Sequence, residues 1–208
     1  MRPVRITITP DDANLTLFAS NVTGATWTLT TNDTSDGLAH QVTIKNDSAN
    51  DHSGKTAVIT GTLNNRVVSE TINLPGAAAT VTSTEYYDSV TTVVPSATIG
   101  ADTMDIGMAG TASTQVVPLN WRGDKVALRV DVSGTVDYTV QSTFDDVTLD
   151  FNDRNYAWLD HDQANLVNGT TSQNGNYDKI PTATRCILNS YGSGGSIVFT
   201  IIHNHEGI

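Results

Sequence analysis

The chain has 208 residues, of which 22 are acidic and 11 are basic, so its formal net charge at pH 7 is −11. A surface of this charge repels phosphate groups and anionic lipids, which argues against binding to nucleic acid or to a membrane. The single cysteine, Cys186, excludes an internal disulfide and lies in an apolar run typical of a buried thiol. A chain of this length folds without disulfides or metal ions, so we expect no cofactor.

Short runs of alternating apolar and polar residues, with almost no helical periodicity, predict an all-β protein. Seven such runs in about the first hundred residues predict an immunoglobulin-like β-sandwich, which we place at residues 1–110. The Asn64-Asn65 pair tolerates the positive φ angles of a two-residue hairpin turn. The predicted strands are Val4–Thr9, Ala25–Thr30, Gln41–Lys45, Thr56–Leu63, Val67–Leu74, Ser89–Val94 and Thr103–Gly107.

The second half of the chain predicts another β-sandwich, jelly-roll-like, at residues 111–208. Small and weakly patterned residues at Gly107–Gln115 predict the linker before it. Val126–Val132 and Val136–Val140 alternate on either side of Ser133-Gly134 and predict a hairpin. The polar stretch Asp160–Asp178 predicts a long functional or partner-ordered loop. Further strands are predicted near Tyr156–Leu159, Thr184–Asn189 and Ser196–Ile202.

Two groups of side chains have the chemistry of metal ligands. His203 and His205 lie on one face of a terminal strand, and Glu206 follows them. Calcium prefers carboxylate oxygens on alternating loop positions, but the glycine and terminal glutamate of an EF-hand loop are missing from the aspartate-rich segment. Solvated histidines and aspartates explain both patterns more simply, so we expect no bound metal. The aspartates are Asp150, Asp153, Asp160 and Asp162.

The remaining short motifs predict no catalytic activity. Arg122-Gly123-Asp124 matches the tripeptide that integrins recognise, but Gly and Asp are also ordinary turn residues. The sequence has no nucleophile elbow, no phosphate-binding loop and no CxxC pair. A pair of carboxylates for glycoside hydrolysis is the one enzymatic alternative that the sequence leaves open, because no pattern selects the two residues.

Three segments carry a resemblance to a known group of proteins. These are "TGTLNNRVVSETINLPG", "WRGDKVALRVDVSGTVDYTVQSTFDDV" and "PTATRCILNSYGSGGSIVFTII". Together they resemble structural proteins of tailed bacteriophages, of the head decoration, neck-collar or tail accessory type with immunoglobulin-like sandwich modules. The resemblance covers most of residues 41–202 and brings no catalytic residues with it.

The resemblance implies a non-enzymatic virion protein, most simply a capsid decoration (cement) protein that stabilises the particle through contacts between subunits. Neck, collar or tail accessory positions are alternatives, and so is a glycan-binding module that attaches the virion to its host. We expect the chain to be made in the host cytoplasm and to lie on the outer surface of the virion. Its partners would be the major capsid protein or neck and tail proteins, copies of itself, or a host-surface glycan, docked through one module or through Met1–Pro10.

Aromatic side chains are the expected centres of such interfaces, because large rings bury much area at low entropic cost. For the glycan-binding alternative, Trp158 and the polar stretch Asp160–Asp178 would stack on and hydrogen-bond a sugar. Core packing is the competing interpretation, above all for the two tryptophans. The interface candidates are Tyr86, Tyr87, Trp121, Tyr156, Trp158 and Tyr177.

Overall fold

The computed structural model describes residues 3–119, 125–147 and 156–203. These residues form fifteen β-strands and one short 3₁₀-helix, Ala164–Leu166, so the all-β prediction is confirmed. Nothing helical within these ranges has the length and apolar character needed to cross a membrane. The strands are β1 (Val4–Ile8), β2 (Asn14–Val22), β3 (Ala39–Asn46), β4 (Thr56–Leu63), β5 (Arg66–Asn73), β6 (Thr80–Tyr87), β7 (Ser89–Pro95), β8 (Met104–Ser113), β9 (Val117–Pro118), β10 (Val126–Ser133), β11 (Val136–Thr143), β12 (Leu159–Asp160), β13 (Gln173–Tyr177), β14 (Ala183–Tyr191) and β15 (Ser196–His203).

The chain divides into two compact units, which we call the N-unit (Asp11–Ala112) and the C-unit (Met1–Pro10 with Ser113–Ile208). β1 belongs to the C-unit because it pairs along its whole length with β15, from Val4 opposite Ile201 to Ile8 opposite Ile197. This pairing corrects the assignment of residues 1–10 to the first sandwich, and it leaves Val4–Ile8 unavailable as a free docking arm. Sequence alternation predicts a strand but does not identify its partner.

The C-unit has the strand order of a jelly roll. Four of its antiparallel strand pairs are nested in sequence: β1 with β15, β9 with β14, β10 with β13, and β11 with β12. They form one sheet in the order β1-β15-β10-β13 and a second in which β12, β11, β14 and β9 follow one another. Numbered within the unit, the eight strands give the orders 1-8-3-6 and 2-7-4-5, the two-sheet arrangement of a jelly roll. The N-unit is therefore inserted in sequence between the first and second strands of this fold.

The prediction of a hairpin at Ser133-Gly134 is wrong, although both of the predicted strands form. β10 pairs with β13 and β15, whereas β11 pairs with β12 and β14, so the turn joins strands of different sheets. Val126, Leu128 and Val130 are buried on β10, as predicted, and Val136, Tyr138 and Val140 are buried on β11. Alternation fixes which side of each strand faces the core, but it cannot distinguish a hairpin from an arch between two sheets.

The N-unit has one sheet in the order β2-β8-β3-β6 and a second in the order β5-β4-β7. Its last strand lies beside β3 rather than in the sheet with β4 and β7, which differs from the constant-type immunoglobulin order. The core takes buried side chains from both sheets and, at Trp27, Leu74 and Ile99, from the segments between strands. They are Phe18, Ala19, Val22, Trp27, Val42, Ile44, Ala57, Ile59, Val68, Leu74, Tyr87, Val90, Val93, Ile99, Met104, Ile106 and Met108.

Two segments of the N-unit differ from the sequence prediction. Ala25–Thr30 is not a strand, and β2 and β6 form instead. The expected linker Gly107–Gln115 lies mostly in β8, where its small residues allow close packing. A Cβ at Gly107 would lie 2.1 Å from the carbonyl oxygen of Asn14 on β2, so a glycine is needed there.

The β4–β5 hairpin forms as predicted. The two strands pair without interruption from Thr56 opposite Asn73 to Leu63 opposite Arg66. Asn64 and Asn65 have φ angles of 54° and 61°, the left-handed values that a two-residue turn of this kind requires. The sequence therefore specifies both the turn and the register of this hairpin.

The side chain of Glu70 on β5 reaches β6, the last strand of its sheet, at the point where the β3–β6 register shifts. The backbone N–H groups of Thr84 and Glu85 donate to the Glu70 carboxylate at 2.9 and 3.0 Å. The Thr84 hydroxyl donates to the same carboxylate at 2.8 Å. These contacts satisfy backbone donors that an edge strand otherwise leaves open.

The stretch Asp160–Asp178, predicted as a long loop, contains β12 at its start, the 3₁₀-helix and β13. Leu166 on the helix is completely buried. A Cβ at Gly175 on β13 would lie 2.3 Å from Leu166 Cδ1, so the glycine leaves the space that this leucine fills. The prediction of a loop rested on the polar composition of this stretch. The segment is ordered by one buried leucine, for which one glycine leaves space.

We expect Ile8→Ala to destabilise the C-unit selectively. Ile8 is completely buried on β1, and truncating a buried isoleucine costs about 3 kcal/mol in the free energy of unfolding. Native-state hydrogen exchange on the full chain should show reduced amide protection in β15 and β10 but unchanged protection in β4. Val4→Ala, at a half-buried position on the same strand, is the matched control and should have a smaller effect. Equal loss of protection in β4 and β15 would contradict the division into units.

Candidate binding surfaces

Asp88 lies beside the β5-β4-β7 sheet and accepts a hydrogen bond from the Thr62 hydroxyl. The outward side of the three strands themselves carries no charged side chain, in a chain of net charge −11. We call it the Val–Thr face. Val58 on β4 lies between Thr71 of β5 and Val94 of β7, and Thr60 lies between Ser69 and Thr92. The face consists of Thr56, Val58, Thr60, Thr62, Val67, Ser69, Thr71, Asn73, Thr92 and Val94.

The valines of this face are exposed to an unusual degree for β-branched apolar residues on strands. The exposed fractions are 39% for Val58, 56% for Val67 and 53% for Val94. The hydroxyls of Thr60 and Ser69 hydrogen-bond each other at 3.2 Å across β4 and β5. Because these two hydroxyls bond each other while the three valines are exposed to solvent, the face resembles the centre of a protein interface more than a solvated sheet.

A second candidate surface is a cleft in the C-unit with a volume of about 380 Å³, which we call the β11–β13 cleft. The ends of three strands form it: β11 and β12 of one sheet, and β13 of the other. Its size lies within the range of small-ligand sites. It is lined by Ser142, Phe144, Leu159, Asp160, Asp162, Tyr177, Asp178 and Lys179.

One wall of the cleft is apolar and exposed, and the rest of its rim is charged. Phe144 is 55% exposed and Leu159 is 53% exposed. The rim holds three carboxylates, from two aspartates at β12 and one after β13, together with the ammonium group of Lys179. Hydrogen-bond acceptors therefore outnumber donors, and the local charge is negative.

The floor of the cleft is fixed by buried hydrogen bonds. The Thr184 hydroxyl donates to the carbonyl oxygen of Gln141 at 2.9 Å, so it accepts the hydroxyl proton of Tyr177, 2.8 Å away. Burial raises the pKa of Tyr177 to about 12, although the bond to Thr184 opposes this rise. Tyr177 is therefore a neutral phenol over the whole physiological pH range.

A chain of side-chain contacts orients Asp160 on the rim. The guanidinium of Arg185 lies 4.1 Å from the ring centroid of Trp158 and donates to Gln141 Oε1 at 2.8 Å through Nη2. Gln141 Nε2 in turn donates to Asp160 Oδ1 at 2.9 Å. Trp158 is half-buried, and the cation covers one side of its ring, so it supports the rim rather than lining the cleft.

His161 lies directly behind this rim, between Asp160 and Asp162 in sequence and 4.6 Å from the Tyr177 ring centroid to centroid. It is 4% exposed. Its Nδ1 lies 3.1 Å from the backbone nitrogen of Gln163, whose N–H it accepts, and 3.0 Å from Asp162 Oδ1, while its Nε2 has no hydrogen-bond partner in the described part of the chain. Burial lowers the pKa of His161, and the neighbouring Asp162 carboxylate opposes this only in part. The ring is therefore held neutral in the folded state.

Two histidine–aspartate pairs in the N-unit have a structural role. His40 contacts the Asp36 carboxylate through Nε2 at 2.8 Å and the carbonyl oxygen of Ala109 through Nδ1 at 3.1 Å. His52 contacts Asp102 through Nε2 at 2.8 Å, and the ammonium of Lys55 lies 3.1 Å from its Nδ1. Both nitrogens of each ring are occupied, so neither ring is available as a general base.

The carboxylates of these pairs are stabilised in their charged form. Burial acts to raise the pKa of Asp36, but hydrogen bonds from His40 and from two backbone N–H groups bring it below the ordinary value. Hydrogen bonds from Asn50 and then His52 lower the pKa of Asp102. The first pair ties the loop before β3 to that strand, and the second joins the β3–β4 loop to the β7–β8 loop.

The aromatic residues predicted to form an interface differ in how far they are buried. Tyr87 is completely buried in the core of the N-unit, and Tyr177 is 8% exposed in the cleft floor, so neither presents its ring to a partner. Tyr86 and Tyr156 are half-buried, like Trp158. Trp121 and the Arg122-Gly123-Asp124 tripeptide lie outside the described residues.

The predicted metal ligands are not brought together in the part of the chain that is described. Among these residues, no group of three or more His, Cys, Asp or Glu side chains is placed to hold a metal ion. Asp160 and Asp162 lie on the cleft rim, and the backbone of His203 ends β15. The other candidates, Asp150, Asp153, His205 and Glu206, lie outside the described residues. Cys186 is completely buried, and burial raises its pKa, so the thiol is inert as predicted from its apolar surroundings.

No protein-family model matches the chain, and no curated protein sequence is significantly similar to it. The resemblance to phage structural proteins therefore stays a prediction. Sequence reasoning did not single out Phe144, Lys179 or the exposed valines. The Val–Thr face could have been found from the uncharged alternate positions of β4 and β5, but the cleft combines residues that no local pattern connects.

We expect His161→Phe to remove part of the acid sensitivity of the C-unit. Unfolded histidine protonates near pH 6.5, at roughly its ordinary pKa, whereas His161 in the folded state protonates only at lower pH. The stability associated with the neutral ring is thus fully present above this pH and is lost as the pH falls toward the folded pKa. Phenylalanine keeps the ring packed on Tyr177 and cannot titrate.

The measurement is the free energy of unfolding in urea between pH 7.5 and about pH 5 for both proteins, a range chosen around the histidine pKa. The variant should lose less stability on acidification than the parent chain. The other four histidines are present in both proteins and cancel in the comparison. Parallel pH profiles for the two proteins would show that His161 is not held neutral by the fold.

Proposed function

We propose that this chain is a non-enzymatic structural protein on the outer surface of a bacteriophage virion, most simply a capsid decoration protein. The Val–Thr face carries the proposal. It offers an uncharged, partly apolar surface through which an acidic chain can dock on a neighbouring protein without bringing like charges together. Burying the exposed valines supplies the favourable free energy of the contact.

The two folds agree with such a role by analogy. The jelly roll of the C-unit recurs in viral capsid domains as well as in lectins, although fold alone does not determine function. The net charge of −11 favours a position outside the particle over the DNA-filled interior. Many copies on a symmetric shell would add avidity, so that a modest contact holds firmly. Neck, collar and tail positions share these requirements and remain the alternative locations.

Quantitative mass spectrometry of purified virions tests the location. A ratio to the major capsid protein near one, or near a simple fraction of one, supports head decoration. A few to a few dozen copies per particle places the chain in the neck or tail. Absence of the chain from purified particles would overturn the proposal.

The Val–Thr face is tested by Val94→Glu, which places a charge on the face directly beside Val58 of the central strand β4. Since the side chain is 53% exposed, the fold should persist while incorporation into particles falls at least tenfold. Leu15→Glu is the matched control, because Leu15 is an exposed residue (37%) on β2, in the other sheet of the same unit. Copy number per particle is measured for both variants in virions produced without the parent chain. Normal incorporation of Val94→Glu would exclude the Val–Thr face as the docking surface.

A further inference from the structure

We infer that the β11–β13 cleft is a binding site for an uncharged saccharide. This inference concerns a different unit from the Val–Thr face and does not depend on the virion role proposed above. It rests on the shape of the cleft, its fixed floor, its exposed apolar wall and the balance of donors and acceptors on its rim.

The apolar wall fits the carbon–hydrogen face of a sugar ring. Phe144 and Leu159 are each more than half exposed, and both line the cleft. A pyranose ring presents a face of C–H groups that packs on an aromatic ring with little loss of hydration. The cleft volume of about 380 Å³ admits one or two such rings.

The rim fits the hydroxyl groups of the same ligand. Ionised carboxylates accept hydrogen bonds and can engage two neighbouring hydroxyls at once. Asp160, Asp162 and Asp178 supply these acceptors, while the ammonium of Lys179 donates to a ring or hydroxyl oxygen. A polyol offers both donors and acceptors, so it matches a rim that contains both.

The charge of the rim discriminates between classes of ligand. Three carboxylates against one ammonium repel phosphates, sialic acids and uronic acids, so nucleotides and acidic glycans are excluded. A cationic peptide would gain from the carboxylates but would meet the like charge of Lys179 on the same rim. An uncharged saccharide meets neither obstacle.

The cleft is preorganised, which lowers the entropic cost of binding. Tyr177 is held by Thr184, and Asp160 is held through Gln141 by Arg185, which is itself stacked on Trp158. Behind the rim, Nε2 of the buried His161 has no hydrogen-bond partner among the described residues. A buried polar atom without a partner lowers the stability of the fold, as is common at functional sites. Trp158 is thus a positioning residue in this site.

The test begins with an array of neutral oligosaccharides built from glucose, galactose, mannose and N-acetylglucosamine. Sialyl-lactose serves as the anionic probe and hexa-lysine as the cationic probe. The full chain should bind at least one neutral oligosaccharide and neither charged probe. Binding of hexa-lysine without any saccharide would assign the cleft to a basic peptide and overturn the inference, as would binding of no probe.

Phe144→Ala then locates the site. Because Phe144 is more than half exposed, the variant should fold normally, with an unchanged circular dichroism spectrum and melting temperature within about 2 °C, and affinity for the neutral oligosaccharide should fall at least tenfold. Val67→Ala, an exposed apolar residue on the Val–Thr face, is the matched control and should bind like the parent chain. Saccharide binding that survives Phe144→Ala would place the site elsewhere. Reduced virion incorporation with normal saccharide binding, or the converse, separates this inference from the proposed function.

Discussion

The nested pairing of the C-unit strands is the constraint on which the rest of the structure depends. Each strand from the first half of this unit pairs with one from the second half in reverse order, from β1 with β15 inward to β11 with β12. The outermost pair joins residues near the two ends of the chain, so the C-unit core is complete only when both ends are present. The entropic cost of closing such a loop rises slowly with its length, and the inserted N-unit is itself compact.

The two candidate surfaces lie on different parts of their sheets: one is an outward face, and the other is formed where strands end. In the N-unit, a hairpin and a third strand present an outward face whose side chains are uncharged and partly apolar, which suits a protein partner. In the C-unit, strands of both sheets end together, so side chains from distant positions enclose a small cleft with a charged rim. Buried hydrogen bonds below the cleft and cross-strand pairs below the face hold each surface in place.

Local patterns in the sequence identify strands well and their partners poorly. The β4–β5 hairpin is specified by Asn64-Asn65 and by an unbroken register, and both could be read directly. For β10 and β11, the alternation is just as clear, but the Ser133-Gly134 turn joins two sheets. The cleft could not be predicted from local patterns, because Phe144 and Lys179 come together only through the strand pairing of other residues. Small residues in β8 were mistaken for a linker, since composition does not show what packs closely against them.

The cover that Glu70 places over β6 has a consequence for how this protein associates. A free edge strand is a template for another chain, and repeated addition of strands leads to fibrils. Here one carboxylate occupies the amide groups of Thr84 and Glu85 that an incoming strand would need. A strand added at this part of β6 would have to displace these hydrogen bonds.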